Sequence, residues 1–573
     1  MDKKNIILIV ILGVFVIFYF QIMEALGLYT PATPQPQTEI VDSTEIKPVD
    51  DYTTDSIETR QIPDSDIPAA ANAENIKPAI DSIVAADTVV VETNKYIVTL
   101  SSHGGGPVSI LLKEHFYRDG RKIEMLPNAD AVTPDARFAG GTYSTSDSYF
   151  TSDISPGTYE SKNSNFDITY TYQNDDGSAI IRHYRFHPDS YHYSFALELV
   201  EPGKMGLTGK YSLVWNTSPG VTEPQPNTDY EAMMAVTYQG DSFEKLDDYE
   251  DNRMRQSLDG TTRWAGVHSK YFASVMIPKS RDAESVTATG SIETIEYDGD
   301  LIDKKLVNVS IDMPFANVVA MSDSFYIYVG PLDYNQMENY EVHLEDILDI
   351  GTTPFIGWLI KLFAIPIMWI LPKMYQFVPN YGLVIILFAL MVKIITLPLS
   401  MKSFKSMAAM KELQPQLEGL KKKHAKDPQK LNQETMKMYK KHGVNPISGC
   451  LPMLPQMPLF FALFAVFRST ILLRDAPFVW FIDDLSRGAA SFTDPYMVLV
   501  LIMVLAQYAS QKVTMGGGTQ QNKMFMYIMP LFMGFIFRTF ASGLVLYWTC
   551  FSVFSLLDYV LFKKNKVKNP EVQ

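Results

Sequence analysis

Residues 381–400 read YGLVIILFALMVKIITLPLS, an apolar stretch of 20 residues that is long enough to cross a bilayer as a helix. Its one charged side chain is Lys393, and a lysine at that depth costs roughly 2.5–3.5 kcal/mol on insertion scales. Thr396 and Ser400 follow at i+3 and i+7, so the three polar side chains share one helical face. We therefore predict a transmembrane helix whose polar face lines a bundle interior or a water-filled cavity. The alternative is that Lys393 only extends its ammonium to the nearer membrane surface.

The composition of the 573-residue chain predicts a soluble domain in addition to a membrane part. The net charge of −15 averages an acidic segment near the amino terminus with a lysine-rich segment after Met401, so it does not indicate DNA binding. Cys450 and Cys550 are the only cysteines, and no disulfide framework is expected. The sequence shows neither metal-ligand spacing nor a phosphate-binding loop. We therefore predict no metal, no cofactor and no enzyme activity.

The amino-terminal part of the chain consists of three segments that differ in composition. Residues 1–28 are predicted to be an uncleaved transmembrane anchor, and residues 29–90, which are rich in Pro, Thr and Asp, a disordered acidic linker in the periplasm. Between residues 91 and 345 apolar side chains alternate with polar ones, as at Phe166 and Ile168. This period predicts many antiparallel strands and a large all-β sandwich domain.

The carboxyl-terminal part contains several apolar segments joined by charged ones. Pro366 and Pro372 interrupt residues 353–379, a segment that we expect to be too broken to span, so we predict an interfacial amphipathic helix there. The lysine-rich residues 401–444 predict a helical hairpin in the cytoplasm, because positive charge marks that side. The other predicted segments are transmembrane helices at 380–400, 451–473, 495–515, 524–541 and 543–562, a periplasmic loop at 474–494 and a basic cytoplasmic tail at 563–573.

These segments together predict a polytopic α-helical membrane protein with six transmembrane helices. Both termini are expected in the cytoplasm, because the hairpin and the tail are basic. Polar side chains recur at helical spacing on two of the later transmembrane helices, and interhelical hydrogen bonds are their commoner use. Together with Lys393 they predict a hydrophilic groove that opens to the cytoplasm. These further polar residues are Gln507, Ser510, Gln511, Thr549, Ser552 and Ser555.

Three motifs in the carboxyl-terminal part carry a family resemblance. They are LQP at 413–415, NPISGCLP at 445–452 followed by PQMP at 455–458, and GLVLYW at 543–548. With them, this part resembles the YidC/Oxa family of membrane protein insertases. The segments NKY at 94–96 and YVGP at 328–331 extend the resemblance to the Gram-negative type with a large periplasmic domain.

The resemblance implies a five-helix insertase core whose groove receives the polar part of a nascent membrane protein. The protein would act as an insertase and chaperone in the inner membrane, alone or with the Sec translocon, and its hairpin and tail would meet a ribosome or targeting factor. The family usually has Arg where this chain has Lys393, and many members have Tyr where it has Trp548. The implied groove residues are Lys393, Thr396, Ser400, Gln456, Gln507, Ser510, Gln511, Tyr547, Trp548, Thr549 and Ser552. The implied docking residues of the hairpin are Lys411, Lys421, Lys422, Lys423, Lys430 and Lys437.

Two other functions are compatible with the residues alone. A small-molecule or ion transporter could use Lys393 as a binding charge, although the sequence shows no inverted repeat of the kind that many transporters contain. A periplasmic scaffold could use the membrane part only as an anchor. Deletion of the β domain would abolish the function of a scaffold and spare that of an insertase.

Overall fold

The structure is a computed structural model that describes residues 86–127, 132–138, 142–297, 300–315, 319–351, 356–424, 427–444, 453–515 and 520–568. The predicted anchor at 1–28 and residues 29–85 of the predicted linker lie outside the described residues. The end of the linker range was assigned wrongly, since the first strand begins at Thr88. Val89 and Val91 of that strand are buried, which ties this part of the chain to the β domain.

The amino-terminal domain is rich in β-strands, as predicted. Nearly all neighbouring strands pair antiparallel, and the exception is the parallel pair of the first and eighth strands. The strands are β1 Thr88–Thr93, β2 Tyr96–Ser101, β3 Gly106–Phe116, β4 Lys122–Glu124, β5 Asp135–Phe138, β6 Tyr143–Ser144, β7 Thr151–Ser152, β8 Gly157–Ser161, β9 Phe166–Gln173, β10 Ala179–Phe186, β11 His192–Val200, β12 Gly209–Trp215, β13 Met234–Gln239, β14 Ser242–Leu246, β15 Arg253–His268, β16 Phe272–Pro278, β17 Ala283–Tyr297, β18 Asp300–Phe315 and β19 Ala320–Pro331.

The strands form two sheets. The smaller has five strands in the order β4-β3-β2-β1-β8. The larger has 14 strands, and its main path runs β6-β5-β12-β18-β17-β15-β16-β19-β11-β10-β9-β7, while β13 pairs with β14 and β15. Alternation along β11 buries every second side chain, including Tyr193 and Phe195, as a sheet with one covered face requires.

A fully buried arginine joins the larger sheet to the turn between β2 and β3. Arg182 on β10 donates to the carbonyl of Gly104 and to the Thr145 hydroxyl, both at 2.9 Å, and also to the carbonyl of Pro134. Gly104 has a φ of 84°, a conformation that a side chain would disfavour. Arg182 Nε also donates to the Tyr184 hydroxyl at 3.0 Å, so these hydrogen bonds offset part of the cost of burying the charge.

The carboxyl-terminal part is helical. Asn380 caps its longest helix by accepting a hydrogen bond from the Leu383 amide at 3.0 Å. The helices of the described chain are α1 Pro226–Ala232, α2 Tyr334–Met337, α3 Gly357–Phe377, α4 Tyr381–Glu412, α5 Gln414–Lys423, α6 Pro428–Lys441, α7 Met453–Ser469, α8 Met497–Met515, α9 Gln520–Phe537 and α10 Ser542–Lys568.

The prediction that the helix at 380–400 ends where the hairpin begins is wrong. Helix α4 continues for 32 residues to Glu412, with Pro398 inside it. Residues 401–412 contain good helix formers and no glycine, so nothing in them ends the helix. The hairpin proper is therefore α5 and α6, which follow Leu413.

The expectation that residues 353–379 are too interrupted to cross a membrane is also wrong, because the helix found there is long enough to do so. Helix α3 runs unbroken over 21 residues with Pro366 and Pro372 inside it, because a helix can accommodate proline at the cost of a kink. Among the described residues, three helices are long and apolar enough to cross a membrane, namely Gly357–Phe377, Tyr381–Glu412 and Ser542–Val560. The interfacial position of α3 and the count of six spans therefore stay predictions.

The loop at 474–494 contacts the β domain through buried charges. Arg474 donates to the Glu223 carboxylate at 2.8 Å and to the carbonyl oxygens of Thr222 and Phe116 at 3.0 and 3.1 Å. The side chains of Arg474 and Glu223 are 3% and 7% exposed. This buried ion pair holds the β domain against the loop that joins α7 and α8.

Candidate substrate groove

Helix α10 occupies a central position, since it packs along α4 and also along α8. Phe388 of α4 faces Tyr547 of α10 with ring centroids 6.2 Å apart, and further along Phe404 faces Tyr559 at 5.6 Å. The two helices therefore run in the same direction. Polar side chains at similar positions along them can meet.

Lys393 makes its contacts with α10. Its Nζ donates to Ser555 Oγ at 2.9 Å and lies 3.2 Å from Asp558 Oδ2. The Phe551 ring lies 4.8 Å from the same nitrogen. Lys393 follows the start of α4 by 12 residues, about 18 Å along the axis, so the ammonium is held well inside the bundle.

The predicted hydroxyl groups bond largely to their own helices. Thr396 donates to the carbonyl of Val392 at 3.0 Å, and Ser400 donates to that of Thr396 at 3.2 Å. Thr549 donates to the carbonyl of Val545 at 2.7 Å. These hydrogens are therefore occupied, while the hydroxyl oxygens can still accept a bond from a substrate or water.

Gln507 and Trp548 meet directly, as two predicted groove residues should. The indole Nε1 of Trp548 donates to Gln507 Oε1 at 3.0 Å. The indole also packs against Phe460 of α7 and Phe537 of α9, with centroid distances of 5.2 and 5.6 Å. Helices α7 to α10 thus converge on Trp548.

The contacts of the predicted residues fall into two groups along α10. Trp548 precedes Ser555 by seven residues, which places the Gln507 contact about 10 Å from the Lys393 contact along the helix axis. Tyr547 and Ser552 are buried, while Gln456, Ser510 and Gln511 are half-buried on α7 and α8.

The hairpin lysines lie mostly in solvent. Lys437 pairs with Glu434 at 2.8 Å on α6. The other predicted docking residues are exposed, apart from the half-buried Lys421, and they are Lys411, Lys421, Lys422, Lys423 and Lys430. Lys411 lies at the end of α4, and the other lysines form a basic surface on the two short helices α5 and α6. It does not by itself select a partner.

Sequence reasoning missed Asp558 as a member of this site. It is the only acidic residue in the five predicted transmembrane helices from residue 380 onward, and a single charge in such a segment is the signal that identified Lys393. Ser555 belongs to the predicted polar face of the last helix but not to the groove residues that the resemblance implies, and the structure brings it to Lys393. In the part of the chain that the structure describes, His, Cys, Asp and Glu side chains form no cluster that could hold a metal.

Comparisons with known proteins identify the family. Residues 88–370 match the model described as the YidC periplasmic domain, and residues 373–569 match the model described as 60Kd inner membrane protein. A membrane protein insertase YidC of Chlorobium phaeovibrioides is 33% identical over 489 residues, which cover 82% of each chain. The chain belongs to the YidC/Oxa family. Another YidC insertase, from Chlorobaculum tepidum, is 31% identical and covers 86% of this chain and 85% of its own.

A solved structure is also similar to this chain. It is described as an active YidC insertase crystal structure with the first transmembrane domain resolved, and it covers 83% of this chain and 92% of its own at 19% identity and a TM-score of 0.34.

The sequence matches confirm the predicted family and the prediction of an insertase rather than an enzyme. The match to an inner membrane protein also agrees with the predicted membrane.

Proposed function

We propose that this chain inserts segments of nascent membrane proteins into the inner membrane through a groove formed by α4, α8 and α10. The observation that carries this proposal is Lys393, a buried ammonium that contacts another helix well inside an apolar bundle. A charge in that place is costly, and intramembrane charges usually mark a path for polar groups. In an insertase the polar group is the flanking segment of the substrate.

The groove would act by lowering the barrier for a short polar segment. Moving polar groups through hydrocarbon costs several kcal/mol for each unsatisfied group. Side chains such as Gln507 and the hydroxyls of α4 and α10 offer partners along part of that path. Burial of the apolar part of the substrate in lipid then drives insertion, at roughly 25 cal/mol per Å² of apolar surface, without nucleotide hydrolysis.

The orientation that suits this role places the β domain in the periplasm and α5, α6 and the basic tail in the cytoplasm, with both termini on the cytoplasmic side. The exposed lysines of the hairpin support it, because such residues concentrate on the cytoplasmic side. We propose that the same surface receives a ribosome or targeting factor. The proposal also includes that the protein works beside the Sec translocon and acts as a chaperone.

Lysine is sufficient for the proposed role. An ammonium attracts a carboxylate as arginine does but lacks the planar pair of donors that grips it in a fixed geometry. We expect the groove to attract acidic segments without orienting them tightly. Lys393→Arg is therefore expected to retain insertion activity.

Reconstitution of the purified chain in liposomes tests the proposal. A single-span substrate with an acidic polar tail is added, and protease protection of that tail is followed for the wild type and for Lys393→Gln/Asp558→Asn. The double variant removes both charges, so that neither is left buried alone. We expect the wild type to protect the tail and the double variant to protect at least about tenfold less, the change that 1.4 kcal/mol produces.

Empty liposomes and Lys405→Gln, which removes a charge from an exposed position of α4 outside the proposed groove, are the controls. Protection by the wild type no greater than that of empty liposomes would contradict the proposed function. Equal protection by the wild type and the double variant would show that the charge of Lys393 has no role in the proposed function.

A further inference from the structure

The single acidic residue of the predicted spans after residue 380, Asp558, contacts Lys393, the single charge of the predicted groove. The predicted transmembrane helices from residue 380 onward contain one acidic residue, Asp558, and four basic residues, Lys393, Arg468, Lys512 and Arg538. Of these, Lys393 is the one that lies within 4 Å of its carboxylate. The charge on Lys393 is therefore neutralised inside the chain before any substrate arrives.

The contact between the two side chains is close but incompletely formed. Asp558 Oδ2 lies 3.2 Å from Lys393 Nζ, yet this buried oxygen has no partner in hydrogen-bond geometry. The ammonium donates a hydrogen bond to Ser555 Oγ at 2.9 Å. The side chain of Asp558 is 16% exposed and that of Lys393 is 6% exposed, so the carboxylate is the more accessible of the two.

We propose that Asp558 competes with the substrate for Lys393 and thereby sets the selectivity of the groove toward acidic segments. The inference rests on the proposed function, since it names a residue that tunes the same groove. An acidic side chain in the polar part of a substrate replaces the Asp558 carboxylate on the ammonium. Neutral polar segments do not need this exchange and pass without it.

Exchange is feasible because it conserves the number of buried ion pairs. A buried charge without a partner is strongly unfavourable, whereas replacing one carboxylate by another leaves Lys393 paired throughout. Ser555 can keep its hydrogen bond, because an ammonium has three hydrogens to donate. The displaced Asp558 is partly exposed and can take up water or a proton.

Two matched substrates and three variants test the inference in the reconstituted full-length chain. One substrate has a tail with two aspartates, and its twin has asparagines at the same positions. The ratio of their insertion rates is measured for the wild type, Asp558→Asn, Lys393→Gln and the double variant. We expect Asp558→Asn to raise the ratio of acidic to neutral substrate roughly tenfold, equivalent to 1.4 kcal/mol of lost competition.

The double variant distinguishes this inference from the proposed function. We expect it to show the same low ratio as Lys393→Gln, because Asp558 acts only through Lys393. An unchanged or lower ratio for Asp558→Asn, with a loss for Lys393→Gln, would overturn the competition and leave the insertase function standing. Unchanged rates in every variant would overturn the groove itself.

Chemical labelling of the wild-type chain covers the case in which Asp558→Asn fails to fold. Dicyclohexylcarbodiimide is soluble in lipid and modifies protonated carboxyl groups in membranes, and mass spectrometry locates the adduct. Each substrate is held in the groove by a folded domain fused to its tail. We expect the acidic substrate to raise labelling of Asp558 several-fold over the neutral twin. Equal labelling with both substrates would overturn the inference.

Discussion

Lys393 and Asp558 neutralise each other at a depth where either charge alone would lack a partner. Their side chains are largely buried, and the remaining contacts of the ammonium are a hydroxyl and the Phe551 ring. Removing one member of such a pair leaves the other as an uncompensated buried charge. A single substitution at Lys393 therefore affects stability as well as the proposed substrate contact.

Lys393→Ala is predicted to lower the free energy of unfolding by about 3 kcal/mol, because it leaves the Asp558 carboxylate without its partner. Lys393→Ala/Asp558→Ala is expected to recover more than half of that loss. The measurement is denaturant unfolding of the purified chain in detergent. Equal stability of the single and double variants would show that the pair is not energetically coupled.

At the residue scale, the sequence predicts that Lys393 belongs to the groove, because a lone charge in an apolar segment is a strong signal of a functional site. The same rule applies to Asp558, which was overlooked because its position near the end of a span also permits solvent exposure. The contact between the two could not be predicted, since it depends on α4 and α10 lying side by side with matching depth. Residue spacing along one helix does not contain that information.

At the scale of elements, the existence of each helix is easier to predict than its ends. Pro366, Pro372 and Pro398 all lie within helices, although proline usually marks an end. The junction formed by Arg474 was not predicted, because its partners Glu223 and Phe116 lie more than 250 residues away in sequence. Local patterns cannot indicate such a contact.

The same junction contains a half-buried histidine, His115, that makes its stability depend on pH. The Phe272 ring lies between His115 and Arg474, 5.5 Å from the imidazole and 5.9 Å from the guanidinium. Burial, together with the nearby positive charge of Arg474, lowers the pKa of His115 to about 4. The folded protein therefore keeps this imidazole neutral at pH values where an unfolded chain would protonate it.

The free energy of unfolding is predicted to fall as the pH drops from about 6.5 toward 4, since the unfolded chain binds the proton and the folded chain does not. The shift corresponds to at most about 3 kcal/mol from this group. Unfolding of the wild type and of His115→Gln is compared between pH 7 and pH 4.5. We expect a smaller loss in the variant, and identical pH slopes would contradict this role of His115.

At the scale of the whole molecule, the β domain and the helical part meet at buried charges that include the Arg474–Glu223 ion pair. The alternation of polar and apolar residues predicts a β-rich domain, because this period follows from strand geometry. The division into two sheets and the parallel pairing of β1 with β8 could not be predicted. Pairing between distant strands is decided by tertiary packing.

Deletion of residues 88–331, from the start of β1 to the end of β19, is predicted to leave insertion of small single-span substrates within about twofold of the wild type. The groove residues all lie on helices that the deletion retains, and Arg474 becomes solvated when its partners are removed. Insertion into liposomes measures the effect. A folded but inactive variant would favour the scaffold function over the insertase.

The most direct test of the groove uses a photoreactive amino acid on α10. It is placed at Ser555, next to Lys393, or at the control position Val553. Val553 is 38% exposed and lies at nearly the same depth, but about 160° away around the helix axis. A substrate is stalled during insertion by a folded domain on its acidic tail. We predict cross-links from position 555 to the polar tail and few from position 553. Equal cross-linking at both positions, or none at 555 while insertion proceeds, would contradict passage of the substrate along the Lys393 face.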